Sequence, residues 1–270
     1  MAKNSVQQPN IRSIPNLRDL GGHVARDGRR VRSGLLYRSE QLGYITDAEM
    51  PTFAKLGLKK IYDLRTADER AELSDRVPDG AVDVVVDVLA DQSGAGPAQL
   101  LHLLAEPQHA NAQLGGGKIA QKFIESYRHF ISLPSARAGF ARMFTELADD
   151  ANLPALFHCT TGKDRTGWAA AALLSLWGVP DETVMQEYLL SNEFIMPEYQ
   201  PTIDKYIAMG IEEEEILLSI LGVRQEYLEA SLQEMRDQYG NIETYFSAGL
   251  GIDSTMQDAL RERFLVVDRF

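Results

Sequence analysis

Apolar positions along the chain follow two rhythms. Short, dense runs at Gly34 to Arg38, Lys59 to Leu64, Val82 to Leu89 and Ala155 to His158 read as strands. Elsewhere apolar residues recur every three or four positions, as in Phe123, Tyr127 and Phe130, then Ala138, Ala141, Phe144 and Leu147, and these stretches read as helices whose aromatic residues pack a core. This alternation predicts an α/β fold with a central, mostly parallel sheet flanked by helices. Thr46 and Glu49 have capping-box spacing, so a helix is expected to open at Thr46 and to end at Gly57. Thr66 and Glu69 repeat that spacing directly after the strand that ends in Asp63-Leu64-Arg65. In α/β folds, such strand ends carry functional side chains.

Between Asp91 and Gly117, glycines and prolines cluster, including the run Gly115-Gly116-Gly117, and predict a flexible loop holding at most a short helix. From about residue 180 to 270 the pattern is helical, punctuated by Pro180, Pro197, Pro201, Gly210, Gly222, Gly240 and Gly251. The Glu212 to Glu215 run reads as a solvated helix face. There is no linker and no repeat. Residues 11–270 are therefore expected to form one domain, preceded by a loosely ordered segment over 1–10.

Composition narrows the function. The chain of 270 residues carries a net charge of −12, which repels nucleic acid and obliges an anionic substrate to find a locally positive pocket. No apolar run approaches the roughly 18 to 20 residues of a membrane span, so stable membrane insertion is not expected. Met1 to Asn10 has no apolar export signal, and a cytoplasmic location follows as the expectation. A single cysteine excludes an internal disulfide and multi-cysteine zinc sites, and the five histidines show no metal-ligand spacing. No metal and no cofactor is expected.

That cysteine sits in the most informative stretch, His158-Cys159-Thr160-Thr161-Gly162-Lys163-Asp164-Arg165-Thr166-Gly167, between an apolar strand and an Ala- and Leu-rich helix. Five residues separate Cys159 from Arg165, enough for a loop whose amides converge on a tetrahedral anion at a helix start. Gly162 permits the backbone angle the loop needs, and Arg165 offers paired donors to phosphate oxygens. The same field favours a thiolate, which makes Cys159 a candidate nucleophile. Thr160, Thr161, Gly162, Lys163, Asp164 and Arg165 are the candidate phosphate-binding residues. Thr166 is placed to help the sulfur leave, and His158 to orient the loop. A nucleotide-binding P-loop fails on spacing, because Phe157 stands at the first glycine position and Asp164 at the magnesium-binding one. A buried, inert cysteine, a phosphate-binding module without activity and a sulfur-transfer loop are the competing readings.

The string resembles the signature H-C-x-x-G-K-D-R-T-G of the bacterial atypical tyrosine and phosphoinositide phosphatases, within the protein tyrosine phosphatase superfamily. Further segments are similar in order: Asn16 to Gly22, Leu36 to Ser39, Asp63 to Arg65, Tyr188 to Asn192 and Leu221 to Leu228, so the resemblance spans roughly residues 11 to 265. It implies a tyrosine phosphatase-like sheet among helices, helical lid elements, and hydrolysis of phosphotyrosine through a phosphocysteine. Tolerance for phosphoserine, phosphothreonine and phosphoinositides is implied as well, so the expected partner is a phosphorylated protein or a phosphoinositide. Lys163 reads either as a second cation for multiply phosphorylated head groups or as a partner of surface acids. The general acid stays open between Asp164 and Asp91, with Asp87 behind them. Asp79, in Val77-Pro78-Asp79-Gly80, reads as a turn. Arg18, Asp19, Arg38, Asp63 and Arg65 read mainly as ion-pairing residues that brace the loop.

Overall fold

The computed structural model describes residues 11–92 and 103–267. A five-stranded sheet runs in the order β1 (Arg18–Asp19), β3 (Leu36–Ser39), β6 (Ala155–His158), β4 (Lys60–Asp63), β5 (Val82–Val85), parallel except for the β1–β3 pair. Two further short strands, β2 (Arg30–Val31) and β7 (Leu265–Val266), form a separate antiparallel ribbon. This is a small mixed sheet surrounded by many helices. Alternation along the strands gives each face its own core. Tyr37, Leu156 and Ile61 align across the sheet and pack with Phe53 and Leu58, whereas Leu36, Tyr62, Ala155 and Phe157 face the larger helical core.

Among the described residues the α-helices longer than one turn are α1 (Met50–Ala54), α2 (Ala67–Glu72), α3 (Pro107–Leu114), α4 (Lys118–Ser132), α5 (Pro134–Leu147), α6 (Arg165–Leu176), α7 (Asp181–Ala208), α8 (Glu214–Leu221), α9 (Gln225–Tyr239) and α10 (Ser254–Phe264). Every residue of α6 except Ser175 is buried, as expected of a helix that is almost wholly apolar from Gly167 onward. In α4 the buried positions Ile119, Phe123, Tyr127, Phe130 and Ile131 form one stripe, and Phe123 stacks on Tyr227 of α9 at 5.1 Å between ring centroids. Among the described residues, no helix is long and apolar enough to cross a membrane.

Several elements differ from the sequence pattern. The Glu49 carboxylate does bond back to the Thr46 amide and hydroxyl, but residues 47–49 form a turn and the helix proper begins at Met50. The strand from Val82 ends at Val85 instead of Leu89, because Asp87 accepts the Leu89 amide and turns the chain. Pro197 and Pro201 do not punctuate: both lie inside the 28-residue α7, whose remaining carbonyl ladder and packing carry it through. The expected loop over 91–117 includes the eight-residue α3, while residues 93–102, like the segment 1–10, lie outside the described residues.

Candidate active site

Register places Ser39, His158 and Asp63 side by side at the ends of β3, β6 and β4, so the residues after them share one edge of the sheet. There the chain turns from β6 into α6 through the segment 159–164. Gly162 has φ +66°, and a Cβ on it would lie 2.3 Å from the Ser39 carbonyl oxygen. Both its conformation and the close approach of the β3 end demand glycine. Four successive carbonyls are tied from outside the turn. His158 Nδ1 lies 3.2 Å from the Cys159 oxygen, and the Gln41 amide donates to Thr160 at 3.2 Å. Asn16 Nδ2 donates to Thr161 at 3.0 Å and Arg38 Nη2 to Gly162 at 2.8 Å. Peptide planarity then sends the following N–H groups the opposite way, and the amides of Thr160 to Asp164 donate to no described residue.

Cys159 is 1% exposed, at the start of this turn, and Arg165 opens α6 at its end. Glu69 holds the guanidinium in a bidentate pair, with both N···O distances 2.7 Å. Its carboxylate also accepts from Thr160 Oγ1 and closes the capping box of Thr66 at the start of α2. Burial pushes this carboxyl up, but the Arg165 charge and the hydrogen bonds outweigh it and hold it at about 2. Burial lowers the Arg165 guanidinium, and the charges of Glu69, Cys159 and Asp164 more than reverse that shift.

Two buried ion networks brace the turn. Beneath it, Arg65 grips Asp63 at 2.9 and 2.8 Å, Asp75 at 2.5 Å and Gln41 at 3.0 Å. His158 Nε2 lies 3.1 Å from Asp75. Burial pulls the His158 imidazole down, yet the Asp75 hydrogen bond and charge raise it above its ordinary range. Asp63, Asp75 and His158 approach closely enough to be metal ligands, but the Arg65 guanidinium already occupies both carboxylates, so the donor set fits an internal cation better than an ion. Beside the turn, Glu187 of α7 receives Arg18 at 2.6 Å and Arg38 at 2.7 Å. Burial pushes the Glu187 carboxyl up and the two arginines hold it at about 2. Asp19 accepts the Gly21 and Gly34 amides and shapes the turns around β1.

Asp164, 7% exposed, accepts the Tyr127 hydroxyl at 2.7 Å, and Tyr127 in turn meets the Tyr188 hydroxyl at 2.6 Å. Lys163 is buried, not at the surface. Its ammonium donates to the Gly222 carbonyl at 2.7 Å, lies 3.2 Å from Asp164 and stands over the Phe123 ring at 5.0 Å. The buried Thr166 hydroxyl has no hydrogen-bond partner among the described residues, Cys159 included. Among the described residues no bond brings Asp91 to the turn: it is exposed, and its carboxylate accepts the Ser135 amide at 2.5 Å at the start of α5. Asp79 is exposed in a turn closed by the Ala81 amide on Pro78.

Glu69, Asp75, Glu187, Asn16 and Tyr127 are the members of this site that pattern reasoning missed as such. For Glu69 a signal was present in the capping box, whose carboxylate has a second oxygen to offer. Tyr127 was visible only as one of a core stripe. Asp75 had no signal of its own.

A model described as a tyrosine phosphatase family matches residues 9–266 of the chain. A Cupriavidus necator protein that bears a tyrosine-protein phosphatase name is 31% identical over 251 residues, covering 89% of this chain and 83% of its own. The triple specificity protein phosphatase PtpB of Mycobacterium tuberculosis is 31% identical over 263 residues, covering 87% of this chain and 92% of its own. A tyrosine-protein phosphatase of Nostoc commune is 31% identical over 158 residues, covering 58% and 48%.

Proposed function

The chain belongs to the tyrosine phosphatase family, and we propose that it hydrolyses phosphotyrosine through a phosphocysteine formed on Cys159. The observation that carries this reading is the set of four outward-tied carbonyls. With those carbonyls held from outside, peptide planarity leaves the amides that follow to the inner side of the turn joining Cys159 to Arg165, at the N-terminus of a buried helix. Such a cradle suits a dianionic phosphoryl group and a thiolate alike.

In this mechanism the Cys159 sulfur attacks phosphorus in line, the S–P bond forms, and the bond to the leaving oxygen breaks. Arg165 and the loop amides hold the equatorial oxygens as charge spreads over them. Glu69 keeps the guanidinium aimed and ionised. Asp164 donates the proton that the leaving oxygen needs, then takes one from the water that cleaves the phosphocysteine. Asp164 is favoured over Asp91 because it adjoins the cradle, whereas the Asp91 carboxylate is engaged at α5. No step calls on a metal or a cofactor.

The substrate range extends beyond phosphotyrosine in this proposal, to phosphoserine, phosphothreonine and phosphoinositides, and the triple specificity relative supports that breadth. Lys163 supports it less than its charge suggested, since its ammonium is spent on Gly222 and Asp164. Replacing Cys159 with Ser is expected to abolish turnover of an aryl phosphate while vanadate binding persists. Turnover at the wild-type rate would refute the phosphocysteine route.

A further inference from the structure

We propose that Tyr127, backed by Tyr188, is a positioning residue that decides which oxygen of Asp164 carries the transferred proton. This rests on Asp164 serving as the acid. The carboxyl group has two oxygens in different surroundings. Oδ1 accepts the Tyr127 hydroxyl at 2.7 Å and the longer Lys163 hydrogen bond at 3.4 Å, whereas among the described residues Oδ2 has only the Lys163 ammonium nearby, at 3.2 Å. An oxygen that already accepts a phenol is poorly suited to bear a proton as well, so the proton resides on Oδ2.

The direction of the tyrosine chain follows from proton counting. Both phenols are buried, and burial with the nearby Asp164 charge pushes each well above the ordinary phenol range, so both keep their protons. Tyr127 has one proton and gives it to Asp164; Tyr188 therefore donates to the Tyr127 oxygen. The chain is mechanically stiff. Tyr127 is boxed by the rings of Phe130 at 5.0 Å and Tyr227 at 5.6 Å. Tyr188 lies against Gly167 in the first turn of α6, where a Cβ would come within 2.9 Å of its ring. The position of the donor is thereby referred to the same helix that presents Arg165.

The other charged and titratable groups around Asp164 are Lys163 and Arg165 of its own loop, the Cys159 sulfur, and Tyr199 of α7, whose hydroxyl burial and the charges of Glu40, Tyr44, Asp164 and Cys159 push to about 12. In the first step the Oδ2 proton passes to the leaving oxygen as its bond to phosphorus breaks and the S–P bond forms. The carboxylate that results keeps the Tyr127 hydrogen bond. In the second step it takes a proton from water as the new O–P bond forms and the S–P bond breaks, which restores the thiolate and releases phosphate.

The test is steady-state kinetics on aryl phosphates graded by leaving-group acidity. The proteins compared are the wild type, Tyr127→Phe, Tyr188→Phe, Asp164→Asn and the double variant Asp164→Asn/Tyr127→Phe. Tyr127→Phe is expected to lower kcat about tenfold on the poorest leaving group, less as the leaving group improves, with KM little changed. Tyr188→Phe should act in the same direction more weakly; it carries the test if Tyr127→Phe does not fold. In the Asp164→Asn background the tyrosine change should add nothing. A loss of equal size on good and poor leaving groups, or the same fold-loss in that background as in the wild type, overturns the positioning role while the acid assignment stands. If Asp164→Asn leaves the leaving-group dependence unchanged, the acid assignment itself is overturned, and the positioning role with it.

Discussion

On the side of the Cys159–Arg165 turn facing α2, Glu69 meets a guanidinium through two short, parallel bonds. On the side facing α4, Asp164 meets a phenol, beside an ammonium that is shared with a backbone carbonyl. Both carboxylates are buried and both belong to the site, but only the first is paired with a group that never gives up its charge. The Glu69 side therefore behaves as fixed scaffolding for Arg165, present at every working pH. Among the described residues the Asp164 side leaves one oxygen free of hydrogen-bond donors beyond Lys163, which suits the proton-transfer role proposed for it.

The largest expected effect tests the scaffold. Glu69→Ala strands Arg165 in a buried position and should lower stability by about 3 to 5 kcal/mol, measured by urea unfolding, with vanadate affinity falling alongside. Near wild-type stability would erase the contrast between the two sides. The pH dependence of the same pair has a definite sign. Glu69 is depressed from an ordinary 4.5 to about 2, so its contribution is present above 4.5 and is lost as pH falls through about 2. Unfolding free energy measured over that window should fall less steeply in Glu69→Gln than in the wild type.

A third buried carboxylate sharpens the comparison from the opposite direction. Glu40 accepts the Asn16 amide on both oxygens at 3.1 Å but has no cation bonded to it among the described residues. Burial raises it from 4.5 to about 7, against the smaller opposing pull of those hydrogen bonds and of Arg18. The folded state then holds the Glu40 proton more tightly than the unfolded chain, so ionisation costs stability increasingly as pH rises from 4.5 through about 7. Glu40→Gln should relieve a cost on the order of 3 kcal/mol at full ionisation. Unfolding at pH near 5 and near 8 checks this, and an equal effect at both would contradict the burial argument.

The smallest effect is expected at Asp91. Removing its charge from the start of α5 should cost less than about 1 kcal/mol, and the leaving-group dependence of hydrolysis should match the wild type. A loss that shrinks as the leaving group improves would move the acid from the Asp164 side of the cradle to Asp91.

The turn itself was legible because its parts are contiguous: cysteine, glycine, arginine and helix start all lie between Cys159 and Thr166. The strand cores and the second capping box were legible for the same local reason, as side-chain period and cap spacing are properties of neighbours. Boundaries were less so, as Met50 and Val85 show, since a turn or a side-chain bond can end an element that the apolar pattern would continue. The flanking partners escaped notice because they are remote in the chain. Glu69 lies 96 residues from Arg165, and Glu187 lies 149 from Arg38.

By itself the amino-acid order determined an α/β frame and a cysteine–arginine turn at a helix start, because hydrophobic period, glycine conformation and loop length act over a few residues. Only the tertiary structure decided which carboxylate aims the guanidinium, which carbonyls are drawn outward, and that Lys163 and Asp164 are committed to Gly222 and Tyr127. Those choices depend on charges and hydrogen bonds meeting in a dry interior, where an unpaired polar group is costly and each partner is selected by proximity in space.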